Sequence, residues 1–180
     1  MMQSAIEQAD EPIYLNPNPE TRKHALLNLQ AFSDEGRRKT KLKECPEVVR
    51  CTSTASLKRC FGWTKVAGQE HWNLGPRRGP PCIRENRITK QISRDEEYYA
   101  IIYEFIPEIQ RPPDRDMVQS QLDFYWLVGF CLAEPLRLDN WKGRGILVDM
   151  ADLICPWSAG WFPKRYERRL AEELEIEAWD

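Results

Sequence analysis

The residues best equipped for chemistry lie in one stretch, Leu136-Arg137-Leu138-Asp139-Asn140-Trp141-Lys142-Gly143-Arg144-Gly145-Ile146-Leu147-Val148-Asp149-Met150-Ala151-Asp152-Leu153. An Asp-Asn pair leads into a Gly-x-Gly turn, an aliphatic run follows, and the run ends in an aspartate. Aliphatic runs bounded by turn residues read as short buried strands. Asp149 is therefore expected at a strand exit, with Asp139 and Asn140 in the loop before it. Magnesium takes oxygen ligands, commonly one or two carboxylates completed by substrate phosphates, and Asp139, Asn140 and Asp149 are of that type. They are also ordinary turn material, because Asp and Asn side chains hydrogen-bond their own backbone.

A second candidate is basic. Arg37-Arg38-Lys39-Thr40-Lys41-Leu42-Lys43 places five positive charges in seven residues. Such a run can contact nucleic-acid phosphates or serve as a nuclear-import signal, and it can equally be the solvated face of a helix. Arg77-Arg78 is a weaker pair of the same kind. Cys45, Cys51, Cys60, His71 and Cys82 are potential zinc ligands whose spacings match no common structural site. His24 and His71 have no neighbouring Ser or Cys that would suggest an activated nucleophile. Tyr125, Trp126, Trp157 and Trp161 are expected to pack between elements rather than stack on bases.

These groups need elements to hold them. Residues 1–15 read as a mobile tail. Asn18 and Pro19 suit the start of a helix running to about Ala31, and Ser33 can cap a second one with Asp34 and Glu35 in its first turn. Residues 59–66 and 98–106 read as strands, the second stopped by Pro107. Residues 68–82 read as an exposed Gly- and Pro-rich loop. The proline-rich segment 107–115 is the natural boundary between two lobes. Asp114 or Asp116 can cap the next helix, about 117–132, whose wide apolar stripe puts it inside its lobe. Pro163 can open a last helix with Tyr166, Leu170 and Leu174 on one face. Its charges oppose the helix dipole, with Lys164 and Arg165 first and Glu172, Glu173, Glu175 and Glu177 last.

That order resembles the middle of a protein kinase. In detail it is more similar to a fungal family of kinase-like proteins typified by a small inner-kinetochore subunit. The likeness rests on Ser33 to Glu44, on Cys60-Phe61-Gly62-Trp63-Thr64-Lys65-Val66, on Tyr99 to Pro107, on Gln119 to Phe130 and on Asn140 to Asp152. It implies a truncated kinase-like α+β fold: a mobile tail and N-terminal helix (1–32), a small sheet-containing lobe (33–106) and a mainly helical lobe (107–180) bearing the Asp139–Asp152 platform. By position it implies that Glu35 is the helix glutamate that pairs with a lysine in active kinases. Tyr103 and Glu104 would lie at the nucleotide-side hinge, Asn140 and Asp149 would hold the metal, and Asp139 would be the base. The departures are large. The Gly-x-Gly-x-x-Gly loop, the Val-Ala-x-Lys strand and the His-Arg-Asp triplet are absent, and Met150-Ala151 replaces Phe-Gly.

Composition narrows the classes. The chain has 180 residues, a formal charge of −2 and seven Trp, enough apolar surface for a core and no global field that would recruit polyanions. No apolar run approaches the ~20 residues of a membrane span, and the expected setting is cytoplasmic or nuclear. The expectation is a non-catalytic binding or scaffold protein, nuclear or kinetochore-associated, with protein partners and no cofactor. The alternatives are a minimal phosphotransferase using magnesium and ATP through Asn140 and Asp149, and a nucleic-acid-associated protein using Arg37, Arg38, Lys39, Lys41 and Lys43.

Overall fold

The computed structural model describes residues 2–39, 41–45, 47–53, 56–73, 82–85, 88–109, 111–133 and 135–174. The expected Arg77-Arg78 pair and most of its loop lie outside them. The chain divides into two compact units, one formed by the residues up to Lys58 together with those from Phe105 on, the other by Arg59–Glu104. The division differs from the boundary expected at 107–115. Residues 33–58 fall in the first unit because 49–51 pair with 13–15 and Cys51 is buried in the same cluster as Val118, Leu122 and Leu147.

In the first unit, α1 (Met2–Glu7) precedes β1 (Ile13–Leu15), which is followed by α2 (Arg22–Gln30), α3 (Asp34–Lys39) and β2 (Val49–Cys51). The N-terminus is thus not simply a tail. β1 pairs antiparallel with β2, and Ile13 and Leu15 are buried beside Val118, Leu122 and Val128. Alternation explains the pattern: in Ile-Tyr-Leu the two aliphatic side chains share one face. α2 starts three residues later than the Pro19 expectation. Thr21 is its cap, its hydroxyl accepting from the His24 N–H at 3.2 Å. Asn28 on α2 is fully buried and satisfied: its Oδ1 accepts from Asn16 N at 2.7 Å, and its Nδ2 donates to Asn16 O at 2.9 Å and Leu127 O at 2.7 Å. Ser33 caps α3 as expected, accepting from Gly36 N at 3.0 Å.

The second unit holds β3 (Cys60–Ala67), α4 (Gly68–Trp72), β4 (Cys82–Glu85), β5 (Ile88–Gln91) and β6 (Glu97–Tyr103). β3 pairs antiparallel with β6, and β4 with β5. Both expected strands are present; the turn of helix at 68–72 was not expected.

The first unit resumes with α5 (Arg115–Leu127), β7 (Cys131–Leu132), β8 (Trp141–Lys142), β9 (Ile146–Leu147) and β10 (Leu153–Ile154). Residues 105–174 are therefore mixed rather than mainly helical. The helix expected after Pro163 is replaced by two 3-10 turns, Pro163–Arg165 and Ala171–Leu174. Its charges oppose a helix dipole, and tertiary contacts hold the chain otherwise. The Tyr166 hydroxyl donates to Trp126 O, and its ring lies 4.9 Å from that of Trp161. Trp161 is fully buried and donates to Gly129 O at 3.0 Å. Trp157, expected to pack, is exposed instead. Among the described residues the fold is α+β, with five α-helices and five two-stranded antiparallel sheets. No described helix is long and apolar enough to cross a membrane.

Candidate functional site

The Asp139–Asp152 platform is built on α5. Asp114 caps that helix, its Oδ1 accepting from Asp116 N at 3.1 Å and Met117 N at 3.2 Å. The same residue reaches the hairpin: Asp114 N donates to Arg144 O at 2.9 Å, and its Oδ2 accepts from Arg144 Nη2 at 3.3 Å. The cap's backbone N–H groups, led by Met117, and the Arg144 guanidinium hold the Asp114 carboxyl below the usual range. Two turns on, Gln121 is fully buried. Its Nε2 donates to Met117 O at 3.2 Å and to Gly145 O, and its Oε1 accepts from Leu147 N at 3.1 Å. One helix side chain thus satisfies both a carbonyl and an amide of the β8–β9 hairpin. Gly145 permits the close approach. Its φ is +116°, and a Cβ there would stand 3.0 Å from Val118 Cγ2 and 3.2 Å from Asp114 O.

Strand pairing nests the loops. β8 pairs with β9, and β7 pairs with β10 outside them. The 3-10 turns Leu138–Asn140 and Met150–Asp152 are brought together by this nesting. Val148 N donates to Asn140 O at 2.8 Å, Ala133 N donates to Asp152 O at 2.8 Å, and Asn140 Nδ2 donates to Asp152 Oδ2. Asn140 is buried, at 7% exposure.

The expected site residues fall unevenly on this frame. Asp139 is exposed and gripped by the Arg137 guanidinium, Nε to Oδ1 at 3.1 Å and Nη2 to Oδ2 at 2.6 Å. Arg137's hydrogen bond holds the Asp139 carboxyl below the usual range, the wrong direction for a general base. Asp149 lies at the exit of the aliphatic run, as expected, and is exposed. The carboxylate that meets Asn140 is Asp152. Lys58 Nζ donates to Val148 O at 3.2 Å, next to Asp149. Glu35 pairs with Lys39 one turn on along α3, and both are exposed. Tyr103 ends β6, and Glu104 follows it in the other unit, accepting from Arg59 N at 3.3 Å and donating to Arg59 O at 2.8 Å.

The basic run is partly neutralised within the chain. Arg37 pairs with Asp34, and its Nη1 donates to Phe32 O at 3.3 Å. Arg38 Nε donates to Asp34 O at 3.2 Å. Lys43 pairs with Glu11, whose hydrogen bond raises the amine's pKa, and it sits 5.4 Å from the centre of the Tyr14 ring. Arg37, Arg38 and Lys43 line a cleft of about 550 Å³ with Asp10, Glu11 and Asp34, so its walls carry both signs. Lys41 is exposed outside that cleft.

The oxygens suited to a cation are Asn140 Oδ1 and the carboxylates of Asp149 and Asp152. No three His, Cys, Asp or Glu residues are grouped as a metal site among the described residues. Sequence reading missed Gln121, Asp152 and Lys58. Gln121 had a signal: it is a polar residue on the apolar side of an amphipathic helix, three residues from Val118 and four from Tyr125. Asp152 had none, because its contact with Asn140 depends on which strands pair.

No protein-family model, curated protein or solved structure matches this chain.

Proposed function

We propose that this chain is a non-catalytic binding or scaffold module of kinase-like descent, in which the Asp139–Asp152 platform is kept as a shape. One observation carries the reading: the polar groups that would do chemistry are committed to holding the loops. The Asn140 amide donates to Asp152, and both Asp139 oxygens accept from Arg137. A general base would need its carboxylate oxygens facing substrate, and Asn140, buried at 7% exposure, is held in the loop through its amide nitrogen. Kinase-like descent is supported by the order of elements in sequence: β3, β6, the proline-rich connector, the capped helix α5 and the paired loops. A nuclear or kinetochore setting and a protein partner follow from the sequence resemblance alone.

A minimal magnesium- and ATP-dependent phosphotransferase is the second reading. Its motivation is Lys58, whose amine reaches the Val148 carbonyl beside exposed Asp149. Thermal unfolding with and without magnesium-ATP separates the two, because a ligand that binds only the folded state raises its stability. The scaffold reading expects an unchanged midpoint at millimolar nucleotide and no phosphate transfer from ATP. Transfer that disappears in Asp149→Ala refutes it.

A further inference from the structure

The basic run spends much of its charge inside the chain: Arg37 pairs with Asp34, Lys39 with Glu35 and Lys43 with Glu11. A second basic surface in the same unit does not. It joins the start of α2 to the loop 155–165. Ser158 N donates to Cys155 O at 2.8 Å and Trp161 N donates to Ser158 O at 3.2 Å, closing two successive turns. Trp157 and Phe162 flank the second turn on either side. Pro156 and Trp161 are fully buried, which fixes the loop, while Trp157 is 68% exposed and Phe162 52%. Arg22 of α2 fastens the same turn. Its Nη2 donates to Ser158 O at 3.2 Å and Trp161 O at 2.6 Å, and its guanidinium carbon lies 5.4 Å from the centre of the Trp161 ring. The guanidinium carbon of Arg165 lies 5.9 Å from the centre of the Phe162 ring. Both guanidiniums are within reach of Cys131: burial pushes that thiol up, and a backbone hydrogen bond from Phe162 and the charges of Arg165 and Arg22 pull it down. Lys23 follows Arg22, Lys164 precedes Arg165, and both lysines are exposed.

Among the described residues none of these four cations has an ion-pair partner, whereas the next two along the chain, Arg168 and Arg169, are taken by Asp123 and Glu173. The carboxylates adjoining the four in sequence are Glu20 and Glu167, so positive charge is in excess. A ligand that satisfies this surface has to bring flat apolar faces and negative charge together. A single strand of nucleic acid brings both at every repeat, since each base has a π-face that stacks on an aromatic ring and each phosphate meets Lys or Arg. A duplex keeps its base faces hidden, and an acidic peptide or an anionic lipid surface supplies the charge without the faces. We propose that Trp157 and Phe162 are a stacking platform for single-stranded nucleic acid whose phosphates are met by Lys23, Lys164 and Arg165, with Arg22 as the positioning residue that holds the turn.

Fluorescence anisotropy of labelled oligo-dT and oligo-rU with the full chain, starting at about 50 mM salt, tests this. Either strand bound through this surface supports the proposal, and the two arms distinguish DNA from RNA. Three cations predict that log affinity falls with log salt at a slope of about −2, and that Lys164→Gln makes the slope shallower by ~0.7. Trp157→Ala should weaken binding about 10-fold or more. Absence of binding, a duplex bound as tightly, or binding that ignores both substitutions and is lost in Lys41→Gln overturns the proposal. So does capture by phosphatidylserine vesicles in place of the oligonucleotides. Should a variant not fold, photo-crosslinking of the wild type to a bromouracil-substituted strand decides. Crosslinks within 157–165 support the platform, and crosslinks confined to other residues remove it.

Discussion

Gln121→Leu is the sharpest test of how the platform is held. Leucine keeps the volume and apolar contacts of a fully buried side chain, so no cavity of consequence opens. It cannot hydrogen-bond. Met117 O retains its partner in the helix, but Gly145 O and Leu147 N–H lose theirs, and both residues are buried. An orphaned buried donor or acceptor costs ~1–3 kcal/mol, so the pair should lose roughly 2–6 kcal/mol. That is a large share of the ~5–15 kcal/mol that holds a domain, and at about 3 °C per kcal/mol it lowers the unfolding midpoint by roughly 6–18 °C. Urea unfolding followed by far-UV circular dichroism measures the loss. Hydrogen exchange at the Leu147 amide locates it, because that N–H should lose protection before the core does. A loss below ~1 kcal/mol with Leu147 still protected would refute the assignment of Gln121 as the clamp.

Gly145→Ala should cost about 1–3 kcal/mol by the same unfolding assay, since its φ of +116° and the 3.0 Å approach to Val118 leave no place for a Cβ. A double-mutant cycle on Asn140→Ala and Asp152→Ala should give a coupling of at least ~0.5 kcal/mol, and additive single losses would mean the hydrogen bond between them does not form in solution. The Asp123 carboxylate accepts from Arg168 through both oxygens at 2.6 Å, which holds its pKa below the usual value. A depressed folded pKa stabilises above the unfolded value near 4 and is lost as pH falls through the folded one. Arg168→Met should therefore cost a fraction of a kcal/mol at pH 7, the pair being partly exposed, and progressively less as pH falls below the unfolded value near 4. Burial pushes the Cys131 thiol up to about 11, so iodoacetamide at pH 7.5 should label exposed Cys45 and Cys60 and leave Cys131 unmodified by peptide mass spectrometry.

Local signals in the sequence were accurate where short-range physics governs. The caps at Ser33 and Asp114, the strands near 60–67 and 97–103 and the buried face of α5 all follow from residue type and spacing. The errors come from long-range contacts. Residues 13–15 looked like tail because three residues carry no period, yet pairing with 49–51 buries them. The apolar spacing after Pro163 implied a helix, but Tyr166 is held by Trp126 and Trp161. At the platform, Asp139, Asn140 and Asp149 lie on the loops foreseen for them. The partner of Asp139 is local, Arg137 two residues before it, whereas Asp152 reaches Asn140 only through the nested pairing of four strands, and Gln121 arrives from a helix more than twenty residues upstream.

The clamp from α5 grips backbone, not the side chains that border the loops. Gln121 holds the Gly145 carbonyl and the Leu147 N–H, and the Asp114 N–H holds the Arg144 carbonyl, all three main-chain groups of the hairpin. The hairpin backbone is therefore held from the helix side, independently of the side chains on its solvent side. A lineage could shed reactivity there one substitution at a time while the surface seen by a binding protein stays in register, so drift in chemistry and persistence in shape are compatible outcomes of one buried glutamine.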